Sequence, residues 1–329
     1  MTRDFIRTLE RELRSLAPSE RNEILNEYQS HIDEALNNGE SEAEILKELG
    51  DPETVAKEIL LMEENETEAS VPKFTVSNVP EDFNPEDISE IDINGESLKV
   101  TIVQSESFDM EFHSHSENGR FEYTVNQNVL EINHKNARDE AGLGSFFKLI
   151  KQRGSSQNDR LTIYWPVNLE NLMIKTSMGS VSIEGLSAKQ FNIRTDMGSI
   201  KTDNLIGVRG VFYTNMGSVK VQSGTFDSIQ SESNMGSVTL TDVDANAYDL
   251  HTDMGKIDAS NLNPDSNIKA KTNMGAINAH YRKMPENTRV TTKTNLGKVQ
   301  NELDYSYSQN ADYTAEFHTD MGAIKIKAN

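Results

Sequence analysis

The chain contains no cysteine, which excludes disulfides and thiolate metal sites. No apolar run approaches the length of a membrane span. Apolar residues make up 35% of the 329 positions, a low share. Positive charge is also scarce: 32 Lys and Arg stand against 53 Asp and Glu, for a net charge of −21. Such a surface repels phosphate backbones, which argues against nucleic-acid binding. Gly, Asn, Ser, Thr and Asp are abundant instead, and that mixture suits a turn-rich β protein with a large surface. The opening Met1-Thr-Arg-Asp-Phe-Ile-Arg enters a charged amphipathic pattern directly, without the apolar core of a signal peptide. A cytoplasmic protein is therefore the expectation, with peripheral contact at the inner face of the membrane left open.

Residues 1–64 read as helices. Phe5, Ile6, Leu9, Leu13 and Leu16 recur at spacings of three and four, one apolar stripe that Pro18 breaks. Ile24, Leu25, Tyr28, Ile32 and Leu36 form a second stripe, closed by Gly39. Ser41 and Glu44 make a capping box for a short helix ending at Gly50, and Asp51-Pro52 starts a fourth with Val55, Ile59 and Leu60. Glu27-Tyr28 with His31, Gly39-Glu-Ser-Glu-Ala-Glu-Ile45 and Leu49-Gly-Asp-Pro-Glu-Thr-Val-Ala-Lys-Glu-Ile59 resemble the HAAS family of bacterial helical signalling domains. That resemblance implies a regulatory protein partner. His31 itself reads as a partly buried helix residue, with a pH-sensing role as the alternative. An acidic linker, residues 65–71, follows.

Residues 72–329 read as a β-solenoid with regular rungs of about 19 residues from 171 on. Met178, Met197, Met216, Met235, Met254, Met274, Leu296 and Met321 each precede a glycine: Gly179, Gly198, Gly217, Gly236, Gly255, Gly275, Gly297 and Gly322. The first four intervals are 19 residues and the later ones 20, 22 and 25, a solenoid period. Thr or Ser stands two before every anchor, and Val or Ile three after. A period of two on each side means strands, and the recurrent glycine means a corner where a side chain would obstruct. Parallel stacking with right-handed crossovers predicts a right-handed β-helix. The column just before the anchors is Ser177, Asp196, Asn215, Asn234, Asp253, Asn273, Asn295 and Asp320. No two Asp are neighbours, as like-charge repulsion between adjacent rungs requires, while Asn can ladder.

Residues 72–170 carry less regular alternation, as in Leu98, Val100 and Ile102, in Phe108, Met110 and Phe112, and in Phe121, Tyr123 and Val125. Asn94-Gly95 and Asn118-Gly119 read as turns. These strands are expected to be early rungs or a β cap. Leu161-Thr-Ile-Tyr-Trp-Pro-Val167 and Leu172-Met-Ile-Lys-Thr-Ser-Met-Gly-Ser-Val-Ser-Ile183, with its successors, resemble the adhesin-like (LiaG-like) family of β-repeat proteins. The resemblance implies a single-stranded right-handed β-helix, a setting in bacterial envelope stress and no established biochemical activity.

No catalytic residue, cofactor or metal is expected. The methionines read as core filling rather than soft-metal ligands, and the Asp/Asn column as ladder chemistry rather than a calcium site. His113 and His115 read as a surface pair. Gly142 to Gly154 is basic and apolar within an acidic chain. There Phe146, Phe147, Leu149 and Ile150 with Lys148, Lys151 and Arg153 could meet a membrane or partner, or shield an end of the solenoid. Lys325 and Lys327, on what reads as the last rung, are expected to discourage end-to-end stacking. The leading reading is a non-enzymatic binding or signalling protein. A surface-displayed adhesin and a carbohydrate-active β-helix are the alternatives.

Overall fold

In the computed structural model the described residues are 2–15, 49–57, 83–114, 120–135, 159–303 and 311–329, with positions 21, 25, 32, 41, 42 and 46. The chain divides into two units, residues 1–71 with 138–157 and residues 72–137 with 158–329.

In the first unit, helix α1 (Thr2–Glu12) runs into a 3₁₀ turn, Leu13–Ser15. Its stripe turns inward: Phe5, Leu9 and Leu13 are buried with Ile32, Leu49 and Ala56 in one apolar core. Gly50 adopts φ +77° and its amide donates to the Leu46 carbonyl at 3.1 Å, ending one helix. Asp51 caps the next by accepting from the Thr54 amide and the Thr54 hydroxyl, each at 2.9 Å. The second stripe, apart from Leu25 and Ile32, and the linker 65–71 lie outside the described residues, as does His31.

The second unit is built from strands β1 (Glu90–Gln104), β2 (Asp109–His113), β3 (Arg120–Asn126), β4 (Val129–Lys135), β5 (Asp159–Trp165), β6 (Leu169–Met178), β7 (Val181–Glu184), β8 (Ser187–Met197), β9 (Ile200–Met216), β10 (Val219–Met235), β11 (Val238–Met254), β12 (Ile257–Leu262), β13 (Asn267–Met274), β14 (Ile277–Tyr281), β15 (Thr288–Leu296), β16 (Val299–Asn301), β17 (Tyr313–Met321) and β18 (Ile324–Ala328). Parallel ladders join one rung to the next in a stack, as in Ile174 beside Ile193, Ile193 beside Phe212 and Phe212 beside Ser231. The irregular upstream strands belong to the same stack. β1 pairs in parallel with β4 and β5 on one side and with β6 and β7 on the other. β2 and β3 add antiparallel hairpin partners to β5 and β4.

Each rung turns at two kinds of corner. At the first, the glycine sits against the rung below. A Cβ on Gly198 would lie 2.1 Å from the Gly179 carbonyl oxygen, and one on Gly236 1.9 Å from that of Gly217. The same holds for Gly255, Gly275, Gly297 and Gly322, and a Cβ on Gly179 would meet the Leu98 carbonyl at 2.1 Å. That same oxygen accepts a hydrogen bond from the buried hydroxyl of the next rung: Thr195 to Gly179 at 3.0 Å, Thr214 to Gly198 at 2.8 Å, Thr252 to Gly236 at 2.8 Å. The second corner is a column in the left-handed region, Gly185 (φ +77°), Asn204 (+54°), Ser223 (+48°), Asp242 (+56°) and Asn261 (+59°). Small polar residues suit it because their side chains tolerate that backbone.

Three expectations are corrected. The methionine column is not core filling, because its members are 40–51% exposed. Strict alternation from Thr176 would turn Met178 inward, but the corner resets the phase. Gly179 takes the inner place, where the carbonyl below leaves no room for a Cβ, and the methionine swings outward. Asn94-Gly95 is not a turn between strands, since both residues lie inside β1. A two-residue turn does occur at Gln127-Asn128, with φ +47° and +71°, joining β3 to β4. Finally, Lys325 and Lys327 are not on the last rung. β17–β18 lies between β13–β14 and β15–β16, so β15–β16 ends the stack. Its residues fit that place: positions that are apolar and buried elsewhere are Thr292, half-buried, and Asn301, exposed.

The corner predicts two measurable costs. Gly236→Ala should destabilise the stack by about 3 kcal/mol, since a backbone oxygen must move. Thr214→Val should cost about 1–2 kcal/mol for a buried carbonyl left without its donor. Urea titration followed by circular dichroism reads both; a Gly236→Ala chain as stable as the parent would refute the stacking argument.

Candidate functional site

The outer face of the first corner carries two parallel columns that the sequence places in adjacent strand positions. One is the methionine column. The other is the Asp/Asn column, hydrogen-bonded from rung to rung: Asn215 Nδ2 donates to Asp196 at 3.1 Å, Asn234 to Asn215 at 2.8 Å, Asn273 to Asp253 at 2.8 Å and Asn295 to Asp320 at 2.9 Å. Because β15 stacks on β17, Asn295 lies beside Asp320 and the Asp residues stay apart in space as in sequence. His251 and His318 lie on the same outward strand face, 3.3 Å and 3.2 Å from Asp253 and Asp320.

A shallow groove of about 350 Å³ lies along a neighbouring face, lined by Arg209, Gln230, Tyr248, Asp249, Lys269 and Glu316 among others. Its Asp249 and Glu316 carboxylates are separated by Lys269 on the intervening rung. Opposite charges on adjacent rungs stabilise a column, and a glycosidase pair would instead need carboxylates facing one another across a substrate. The Tyr248 hydroxyl donates to the Val243 carbonyl at 2.8 Å and accepts from the Ala245 amide at 2.9 Å. Burial pushes its pKa up to about 12, against the lowering effect of the Ala245 amide. A second groove, at the left-handed corners, is lined by Glu106, Glu184 and Asp203 with Gln104 and Asn204. Among the described residues, no group of three or more His, Asp and Glu gathers as a metal site.

One buried polar cluster was missed by sequence reasoning. His134, near the end of β4, and Asp159, opening β5, meet at 2.9 Å between Nε2 and Oδ2, with the Ser114 hydroxyl donating to the same oxygen at 3.1 Å. Phe112 packs on the imidazole. The two residues flank positions 136–158, which lie outside the described residues, and join the end of β4 to the start of β5. The signal was thin, a lone His and a lone Asp 25 positions apart.

The residues expected to touch a membrane or partner, Phe146, Phe147, Lys148, Leu149, Ile150, Lys151 and Arg153, lie outside the described residues. So does His115; His113 lies 3.5 Å from Glu111. No described helix is long and apolar enough to cross a membrane.

Stacked parallel rungs turning at Thr-x-Met-Gly corners define a β-repeat protein, and the same chain carries a small helical unit. The chain belongs to the Toastrack DUF4097 family, whose model matches residues 88–327. The HAAS model matches residues 4–58. No curated protein matches the chain. Two solved structures are similar to it. One is a putative adhesin from Bacteroides fragilis, 14% identical with a TM-score of 0.44, the match covering 73% of this chain and 92% of that one. The other is a putative cell adhesion protein from Clostridium sporogenes, 12% identical with a TM-score of 0.26, covering 75% and 96%.

The raised Tyr248 pKa fixes a sign. The neutral phenol is favoured in the folded state, so its stabilisation is full below pH about 10, the unfolded value, and is lost as pH rises towards about 12. Urea midpoints should therefore fall across that interval, and Tyr248→Phe should flatten the fall while lowering stability at neutral pH. An unchanged slope in that variant would contradict the assignment.

Proposed function

We propose that this protein is a non-enzymatic binding and signalling protein of the bacterial cytoplasm. The helical unit contacts a regulatory protein partner, and the solenoid, wound as a right-handed single-stranded β-helix, serves as a rigid interaction surface. The observation that carries this reading is the set of outer columns tied residue to residue across rungs, such as Asn234 to Asn215. A surface ordered before binding loses little conformational entropy when a partner docks. The HAAS match supports the regulatory partner, and the resemblance to LiaG-like proteins supports a place in the envelope-stress response. The adhesin-described structures favour display outside the cell as the second reading. A carbohydrate-active enzyme has less support: in the groove along Arg209 to Glu316, Lys269 separates the carboxylates, and in the second groove Glu184 and Asp203 stand side by side on adjacent rungs of one ladder rather than across a substrate.

Affinity recovery of the tagged full chain from bacterial cells, with soluble and membrane fractions kept apart and a chain lacking residues 1–66 in parallel, tests this. A regulator or membrane protein recovered in a way that depends on residues 1–66 is the expected result. Recovery indifferent to that deletion, with the protein outside the cell, would favour the adhesin.

Peripheral contact with the membrane is part of the same proposal, carried by the basic and apolar sequence of residues 142–154. Deleting residues 143–153 should abolish flotation of the protein with anionic liposomes; flotation that survives the deletion would remove this element.

A further inference from the structure

The corner methionines are arranged in a way that core packing does not require. Their Cα positions are in register from rung to rung: Met178 beside Met197, Met197 beside Met216, Met216 beside Met235, Met254 beside Met274, and Met274 beside Met321. The Ser233–Thr252 register brings Met235 beside Met254 and completes the run. All seven are 40–51% exposed, so the column faces solvent. Leu296, 69% exposed, occupies the same place on the end rung. Leucine thus occurs at this corner on the end rung, where one side is open.

We propose that this column binds soft monovalent cations, Cu(I) or its analogue Ag(I), between thioethers on successive rungs. Parallel rungs repeat at about 4.8 Å. Two metal–sulfur bonds of about 2.3 Å each span nearly that distance in line, and the flexible methionine side chain takes up the remainder. Thioether sulfur is a neutral, soft donor that suits Cu(I), whereas Ca(II) and Mg(II) take carboxylate, carbonyl and water oxygens. The chain has no cysteine to compete. Charge also favours a cation: the chain carries −21, and Asp196, Asp253 and Asp320 stand directly before Met197, Met254 and Met321. An anionic lipid surface would meet repulsion at the same column. An apolar protein segment is the competing occupant, and the acidic flank gives it no added attraction.

The test uses the full chain with ¹³C-labelled methionine methyl groups in chloride-free buffer, titrated with silver nitrate. The column methyl resonances should shift, while that of the buried Met110 stays in place as an internal reference. The triple variant Met197→Leu, Met216→Leu and Met235→Leu should fold, because leucine nearly conserves the volume and apolar character of these exposed side chains. It should bind fewer ions, with affinity at those rungs falling about tenfold or more. Cu(I) delivered from a competing chelator should follow the same pattern, and Zn(II) should move none of these methyls. Column methyls unmoved by stoichiometric silver, or silver uptake unchanged in the leucine variant, would overturn the proposal. So would a wild-type chain that takes up no silver yet binds a hydrophobic dye as well as the leucine variant does; that result would assign the column to an apolar partner.

Discussion

The carbonyl oxygen of each corner glycine from Gly179 to Gly275, and of Gly322, is claimed from two sides. A hydroxyl from the neighbouring rung donates to it, and the neighbouring glycine must lie close enough that a Cβ would collide with it. These demands act together. The short approach brings the rungs into ladder register, and the register brings the next hydroxyl within reach of the oxygen. Thr at −2 and Gly at +1 of the methionine are thus two halves of one contact repeated along the stack. The buried hydroxyls two places before the corner methionines, such as Thr195, Thr214, Ser233 and Thr252, are satisfied by this contact.

The same contact explains the outward face. With glycine holding the inner position, the residue before it has nowhere to go but outward, and the strand position before that also faces solvent. Two exposed columns therefore follow from one internal constraint. One became a ladder of amides and spaced carboxylates, the other a line of thioethers. Function in such a molecule is read from columns rather than from a pocket, because every outward position recurs on the next rung with the same neighbours.

Much of this was legible in the residues. The 19-residue period, the inward Thr column, the alternation of β1 and the cap at Asp51 all follow from local rules of periodicity and turn chemistry. What escaped is what those rules do not address. The direction of the methionines depends on the corner resetting strand phase, an effect of contact with another rung. The left-handed column Gly185, Asn204, Ser223, Asp242 and Asn261 shares turn propensity but no single residue type, and so it did not stand out. The pairing of His134 with Asp159 joins residues 25 positions apart and leaves no periodic trace. The order of the end rungs was written in Thr292 and Asn301, polar residues at core positions, but a stack assumed to follow the sequence hides that clue.

The stacking order bears on how the molecule takes a load. β1, the first rung-forming strand in the sequence, is held between two rungs, and so is β17–β18, the last. At one end the antiparallel β2 and β3 lie outside β4–β5, and at the other β15–β16 is outermost; all of these are interior segments of the chain. Tension applied along the chain at either flank therefore does not meet a strand that can be unzipped bond by bond. It must drag a strand past ladders on both sides at once, so that many hydrogen bonds resist in parallel. Such a stack resists being pulled apart lengthwise far better than one wound in simple sequence order.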